Sequence, residues 1–244
     1  MSQEEIDLLD KYFKYDQILP YDLNLIISEL NQNEFINLKY LLDGELCEKI
    51  FRDLYARVND KLPKAWETLQ YCSLLDPEAF PGFLIMELLN IDKFVLQNVA
   101  NALKNNSLIE IITKLGENCL NIHRQTQEMV RKIGVSESLE KNVNRVILNK
   151  FEVTQEYNQT KWNSYKLLFS NVLIVYKSKY LDLEQKYKAC DKLGFFFNYV
   201  TNNFNQSLKY WTECLETTVR IYGKNEAHLN KARSLGKVQI AYKN

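Results

Sequence analysis

Two histidines and five cysteines are the residues whose chemistry would depend most on spacing. His123 follows Cys119 by four positions, which would put both on one face of a helix. Two such ligands do not make a zinc site, and no CxxC or HxxxH pattern adds a third. His228 stands a hundred residues away. Cys47, Cys72, Cys119, Cys190 and Cys214 are far apart, odd in number and set at apolar helical positions, so they read as reduced core thiols of an intracellular protein. The chain has no GxGxxG, no P-loop and no GxSxG segment. Acid pairs are frequent but fall on helix faces expected to be solvated. No metal, no cofactor and no catalytic residue is expected, and the chain is read as a non-enzyme.

Aromatic residues and lysines form the other two groups with chemical potential. Trp162, Phe169, Phe195, Phe196, Phe197, Phe204 and Trp211 recur at helical spacing, which reads as core, with a lipid or ligand slot as the sharper alternative. Lys161, Lys166, Lys177, Lys179, Lys186, Lys188 and Lys192 are spread too evenly for a nucleic-acid footprint. They read as a solvated face, with phospholipid headgroups as the alternative partner.

These side chains must be carried by helices. Between Val143 and Tyr222 apolar residues recur at steps of three and four, and no proline follows Pro81. The expectation is two long helices folded back near Asp191–Gly194. Upstream, Glu4–Tyr15 forms an amphipathic arm ended by Pro20. Six short helices follow: Tyr21–Leu30, Glu34–Leu42, Glu45–Val58, Lys64–Leu75, a fifth opened by Asp76–Pro77 and running to Leu89, and Lys93–Leu103 with Phe94, Val95, Val99 and Leu103 inside. Asn105–Asn106 is the expected boundary. Leu108–Val130 reads as a further helix with Gly134 closing it, Ser136 starts the long run, and Glu226–Tyr242 is a short basic end.

Composition agrees with this reading. The 244 residues include only seven Gly and four Pro, which leaves few turns and favours long helices over many strands. No apolar run reaches membrane-span length, and the acidic start lacks a secretory signal, so a cytoplasmic location is expected. Net charge is zero but divided. Residues 1–103 hold 18 acids and 9 bases, whereas 104–244 hold 13 acids and 22 bases. The two halves can face each other or stack head to tail, and the basic half can attract an anionic membrane surface. Nucleic acid is not expected as a partner.

The segments LNLIISELNQNEFINLKYLL (Leu23–Leu42) and AWETLQYCSLLDPEAFPGFLIMELLNIDKFVLQNV (Ala65–Val99) resemble the death effector domain, most closely that of the Fas-associated adaptor. The carrying residues are Glu34, Leu38, Lys39, Tyr40 and Leu41, then the leucine-rich helix, the short acidic loop and the final amphipathic helix. Where the family has Arg-x-Asp-Leu, this chain reads Asn90, Ile91, Asp92, Lys93, keeping the aspartate alone. The resemblance implies homotypic contact through Glu34, Lys39, Tyr40, Leu41 and Asp92, with self or other death-fold proteins as partners in cell-death or innate-immune signalling, in a host or as a viral decoy. The caspase nucleophile segment Q-A-C-x-G is absent.

The expectation is therefore an all-α protein: an arm (1–20), a six-helix death-effector-like domain (21–104) and a basic long-helix bundle (107–244). It would work as a homo-oligomeric adaptor. The alternative is a single helical scaffold or tether that binds a peptide or a membrane.

Overall fold

The computed structural model describes residues 62–154, 158–224 and 228–243, with the isolated positions Arg52 and Ala56. The expected arm and the helices at Tyr21–Leu30, Glu34–Leu42 and Glu45–Val58 lie outside the described residues.

The described chain is predominantly helical, as expected for the all-α class. Its order is α1 (Pro63–Ser73), β1 (Phe80–Pro81), α2 (Gly82–Leu89), α3 (Lys93–Asn105), β2 (Ile109–Lys114), β3 (Glu117–Ile122), α4 (Arg124–Gly134), α5 (Glu137–Lys150), α6 (Gln159–Tyr176), α7 (Leu183–Phe195), a π-turn (Phe196–Val200), α8 (Phe204–Tyr222) and α9 (Leu229–Lys243).

Several starts and stops follow directly from local chemistry. Asp92 caps α3, its Oδ1 accepting from the Val95 amide at 2.8 Å. Ser136 caps α5 through the Leu139 amide, with Glu137 and Glu140 in the first turn where the helix dipole favours acids. Gly134 ends α4 at φ +139°.

The expected elements depart from the structure in three places. Leu108–Val130 is not one helix. Its first part is a hairpin, β2 and β3, joined at Leu115–Gly116, and only α4 is helical. Leu115 and Gly116 both take positive φ (52° and 84°), the geometry of a two-residue hairpin turn. Ile109, Ile111, Ile112 and Thr113 are β-branched and suit a strand, while Ile111, Leu115, Cys119 and Ile122 recur at steps of four, four and three that imitate a helix.

Asp76–Pro77 does not open the fifth helix. The Asp76 carboxylate instead accepts from the Glu78 amide at 3.0 Å. The chain then turns through Ala79 at φ +61°, held by Asn121 Oδ1 at 2.7 Å, and Phe80–Pro81 joins the sheet. That sheet is antiparallel in order β1-β3-β2, with Phe80 opposite Leu120 and Pro81 opposite Cys119. A proline is tolerated there because β1 is an edge strand.

The long run is also divided more finely. It holds α6, α7, the π-turn and α8 after α5, with breaks after Lys150 and after Tyr176. The reversal lies at Thr201–Asn203, beyond Gly194, with Asn202 at φ +53°. Asn158, Asp182 and Asn203 cap the resumed helices by accepting from Lys161, Gln185 and Gln206 amides. Gly194 is helical, and a Cβ built on it would lie 2.2 Å from Trp211 Nε1. Its role is the close approach of α7 and α8.

One apolar cluster runs from Ala65 to Tyr210, and Leu103, Leu108 and Ile109 on the two sides of Asn105–Asn106 all belong to it. Polar ties cross the same place. Gln127 Nε2 donates to the Cys72 and Leu75 carbonyls at 2.8 Å each, and Arg131 Nε to the Ser73 carbonyl at 2.6 Å. The Asp76 amide donates to Asn171 Oδ1 at 2.9 Å, and Lys150 pairs with Glu87 at 3.1 Å.

Candidate interaction site

Of the residues expected to make partner contacts, Glu34, Lys39, Tyr40 and Leu41 lie outside the described residues. Asp92 is described and exposed at the N-terminus of α3. Its carboxylate is committed to the Val95 amide, so its first role is to start the helix.

Beside it, Phe94 is 72 % exposed. The expected burial of Phe94 does not occur. The buried stripe of α3 is Leu96, Val99, Ala100 and Leu103, and Phe94 falls off that spacing. Gln97, Asn98 and Asn101 around it are polar and exposed. A lone aromatic on a polar helix face, flanked by Asp92 and Lys93, offers apolar area to a partner with opposite charges at hand to orient it.

No family model, curated protein or solved structure matches the chain.

The other polar residues with chemical potential are taken up in holding helices together. Cys119 and His123 do not share a helix face: Cys119 is buried in β3, and His123 is exposed at the start of α4. Both histidines serve as caps, His123 Nδ1 accepting from the Gln125 amide at 3.3 Å and His228 Nδ1 from the Asn230 amide at 3.2 Å. No group of three or more metal-ligating side chains occurs among the described residues. Cys72, Cys119, Cys190 and Cys214 are buried and unbridged, and Cys47 lies outside the described residues. Burial pushes the Cys72 and Cys214 thiols up to about 12 and raises those of Cys190 and Cys119. Thiols held in that state are poor nucleophiles.

The seven lysines read as a solvated face divide. Lys161, Lys166, Lys177, Lys179 and Lys188 are exposed. Lys192 turns inward to donate to the Leu148 carbonyl, and burial lowers its pKa. Lys186 sits 3.6 Å from the Tyr176 ring centroid, donates to the Tyr176 carbonyl at 3.0 Å and lies 3.5 Å from Glu213. The Tyr176 hydroxyl donates to the same Glu213 carboxylate, and burial followed by that acid raises its pKa. This network ties α6, α7 and α8 together.

The aromatic stripe is mainly interior. Phe196 and Trp211 are buried, and Phe169 stacks on Phe196 at 4.5 Å between centroids. Phe197 stacks on Tyr210 at 5.5 Å, and Phe151 meets Tyr165 edge-on at 5.8 Å.

Proposed function

We propose that the chain is a non-enzymatic helical scaffold that acts through contacts with partners, as one folded unit. The observation that supports this reading is the interlocking of residues 63–105 with the elements after them. β1 pairs with β3, the end of α1 is hydrogen-bonded by Gln127 and Arg131 of α4, and Glu87 of α2 pairs with Lys150 of α5. Gln127 satisfies two buried carbonyls that would otherwise cost about 1–3 kcal/mol each, whereas the Glu87–Lys150 pair is exposed and contributes little. The buried, protonated thiols and the lysines engaged between helices agree with structural use of reactive residue types.

A second reading is the homotypic adaptor, with contacts at Glu34, Lys39, Tyr40, Leu41 and Asp92 to self or to death-fold proteins. Phe94 favours it, because an exposed ring beside Asp92 is the kind of anchor a domain–domain contact uses.

Light scattering and circular dichroism on residues 21–104 and on the full chain separate the two. The scaffold reading expects the fragment to lack cooperative structure without β3, α4 and α5. A fragment that folds alone and grows with concentration would overturn it in favour of the adaptor.

A further inference from the structure

The two edges of the small sheet are built differently. Its order β1-β3-β2 leaves β1 and β2 as the outer strands. β1 is two residues long and carries Pro81, and both features blunt an edge against further pairing. β2 has six residues and no proline, and it pairs with β3 one residue to one, without a bulge. The two-residue turn makes Lys114 and Glu117 the closing hydrogen-bonded pair. By alternation Ile112 and Glu110 also turn their amides and carbonyls to β3, so Ile111 and Thr113 turn theirs outward. No described residue bonds to those outward groups.

The side chains of this edge are complementary to their own reverse. Glu110, Ile112 and Lys114 alternate onto one face of the sheet. Glu110 and Lys114 are exposed, and neither forms an ion pair among the described residues. An antiparallel copy set with Ile112 opposite Ile112 places Glu110 opposite the copy's Lys114, and Lys114 opposite the copy's Glu110. The same register brings Ile111 opposite Thr113, the residues whose backbone groups face outward. It also sets Leu115, 46 % exposed, opposite Ile109. Centring the pair on Ile111 or Thr113 removes both charge pairs, and centring it on Glu110 sets two acids against each other.

We infer that β2 is a homodimerisation edge, on which β2 of a second copy adds as an antiparallel strand. Ile111 and Thr113 of the two copies exchange backbone hydrogen bonds in both directions, and a Glu110–Lys114 pair on either side of Ile112 fixes the register. A single strand pair is small against a standard protein interface, so the dimer is weak and forms with concentration. β2 lies outside residues 21–104, so this contact is separate from the self-association that the adaptor reading assigns to that fragment. The scaffold reading stands or falls without it.

The test is sedimentation velocity of the full chain over a range of protein and salt concentrations. The expected result is a reversible monomer–dimer equilibrium that weakens as salt rises, because the charge pairs are exposed. Thr113→Pro removes an outward amide without removing a bond to β3, and should leave the far-ultraviolet helical signal unchanged and the chain monomeric. Glu110→Lys and Lys114→Glu should each weaken dimerisation about fivefold or more. Lys114→Glu also sets an acid opposite Glu117 of its own hairpin. The double substitution shares that cost, so its dimerisation should recover relative to Lys114→Glu alone. Such recovery reports a second copy, since positions 110 and 114 lie about 13 Å apart along one strand and cannot pair within it. A chain that stays monomeric at every concentration would overturn the proposal. So would a dimer that survives Thr113→Pro, or a double substitution that dimerises no better than Lys114→Glu.

Discussion

Gly194 and Trp211 form the tightest contact between α7 and α8. Any side chain at 194 would enter the indole, whose Nε1 lies 2.2 Å from the Cβ position and whose ring is 1 % exposed. Gly194→Ala should therefore force the helices apart and cost about 1–3 kcal/mol. Trp211→Ala should cost about 3–5 kcal/mol. Urea unfolding followed by circular dichroism reads both, and a change near zero for either would remove this contact from the core. The buried thiols make a prediction in pH. Cys72 and Cys214 ionise at about 12 in the folded chain against an ordinary 9.0. Between those values the unfolded chain releases protons that the folded chain keeps, so stability is full below about pH 9 and falls as pH rises toward 12. Cys72→Ala should flatten part of that alkaline decline in the urea midpoint, and an unchanged slope would refute the assignment. At this scale the sequence is legible for burial: Cys72, Cys190 and Cys214 are buried on helices, as the helical spacing suggests, and Phe196 and Trp211 of the aromatic stripe are buried, whereas Cys119 is buried in a strand. It was not legible for Gly194, because a glycine required by a neighbouring indole looks the same in sequence as one required by a turn.

Element ends are legible where a capping residue type stands at the edge of an apolar run. Ser136, Gly134 and Asp92 bound helices as their types suggest. The breaks after α5, α6 and the π-turn were missed because they use neither proline nor an unpaired glycine. They rest on Asn158, Asp182 and Asn203, which stand inside a continuing apolar periodicity, and asparagines are so common in this chain that Asn158 and Asn203 do not stand out. Asp182 carries a full capping box with Gln185. Asp182→Ala should thus cost about 0.5–2 kcal/mol, measured as a fall in the urea midpoint, and no fall would mean α7 is held by packing alone. The hairpin was missed for a different reason. Cys119 and Ile122 lie in β3 against β1 and β2, and only that tertiary pairing distinguishes their spacing from a helical one. Gly116 sits at φ +84° in the turn. Gly116→Val should destabilise the hairpin through its backbone, since β-branched residues resist positive φ. A loss of hydrogen-exchange protection across 109–122 would report it.

At the scale of the molecule, the all-α class was legible from the long apolar periodicity and the shortage of turns. The continuity of the core was not, because charge division and the Asn105–Asn106 pair suggest two bodies, while the contacts that cross that point are long-range. Gln127 to the end of α1, Phe80 to Leu120 and Asp76 to Asn171 have no signature in local sequence. The account rests on that continuity. It is tested most directly by urea unfolding of the full chain with single-tryptophan reporters, Trp66 in α1 and Trp162 in α6, the other tryptophans replaced by phenylalanine. Trp66 belongs to the apolar cluster and Trp162 packs against it. One core predicts coincident transitions with the same midpoint and slope. A Trp66 transition complete at a urea concentration where Trp162 is still native would contradict it, and would favour the expected separate domain over 21–104.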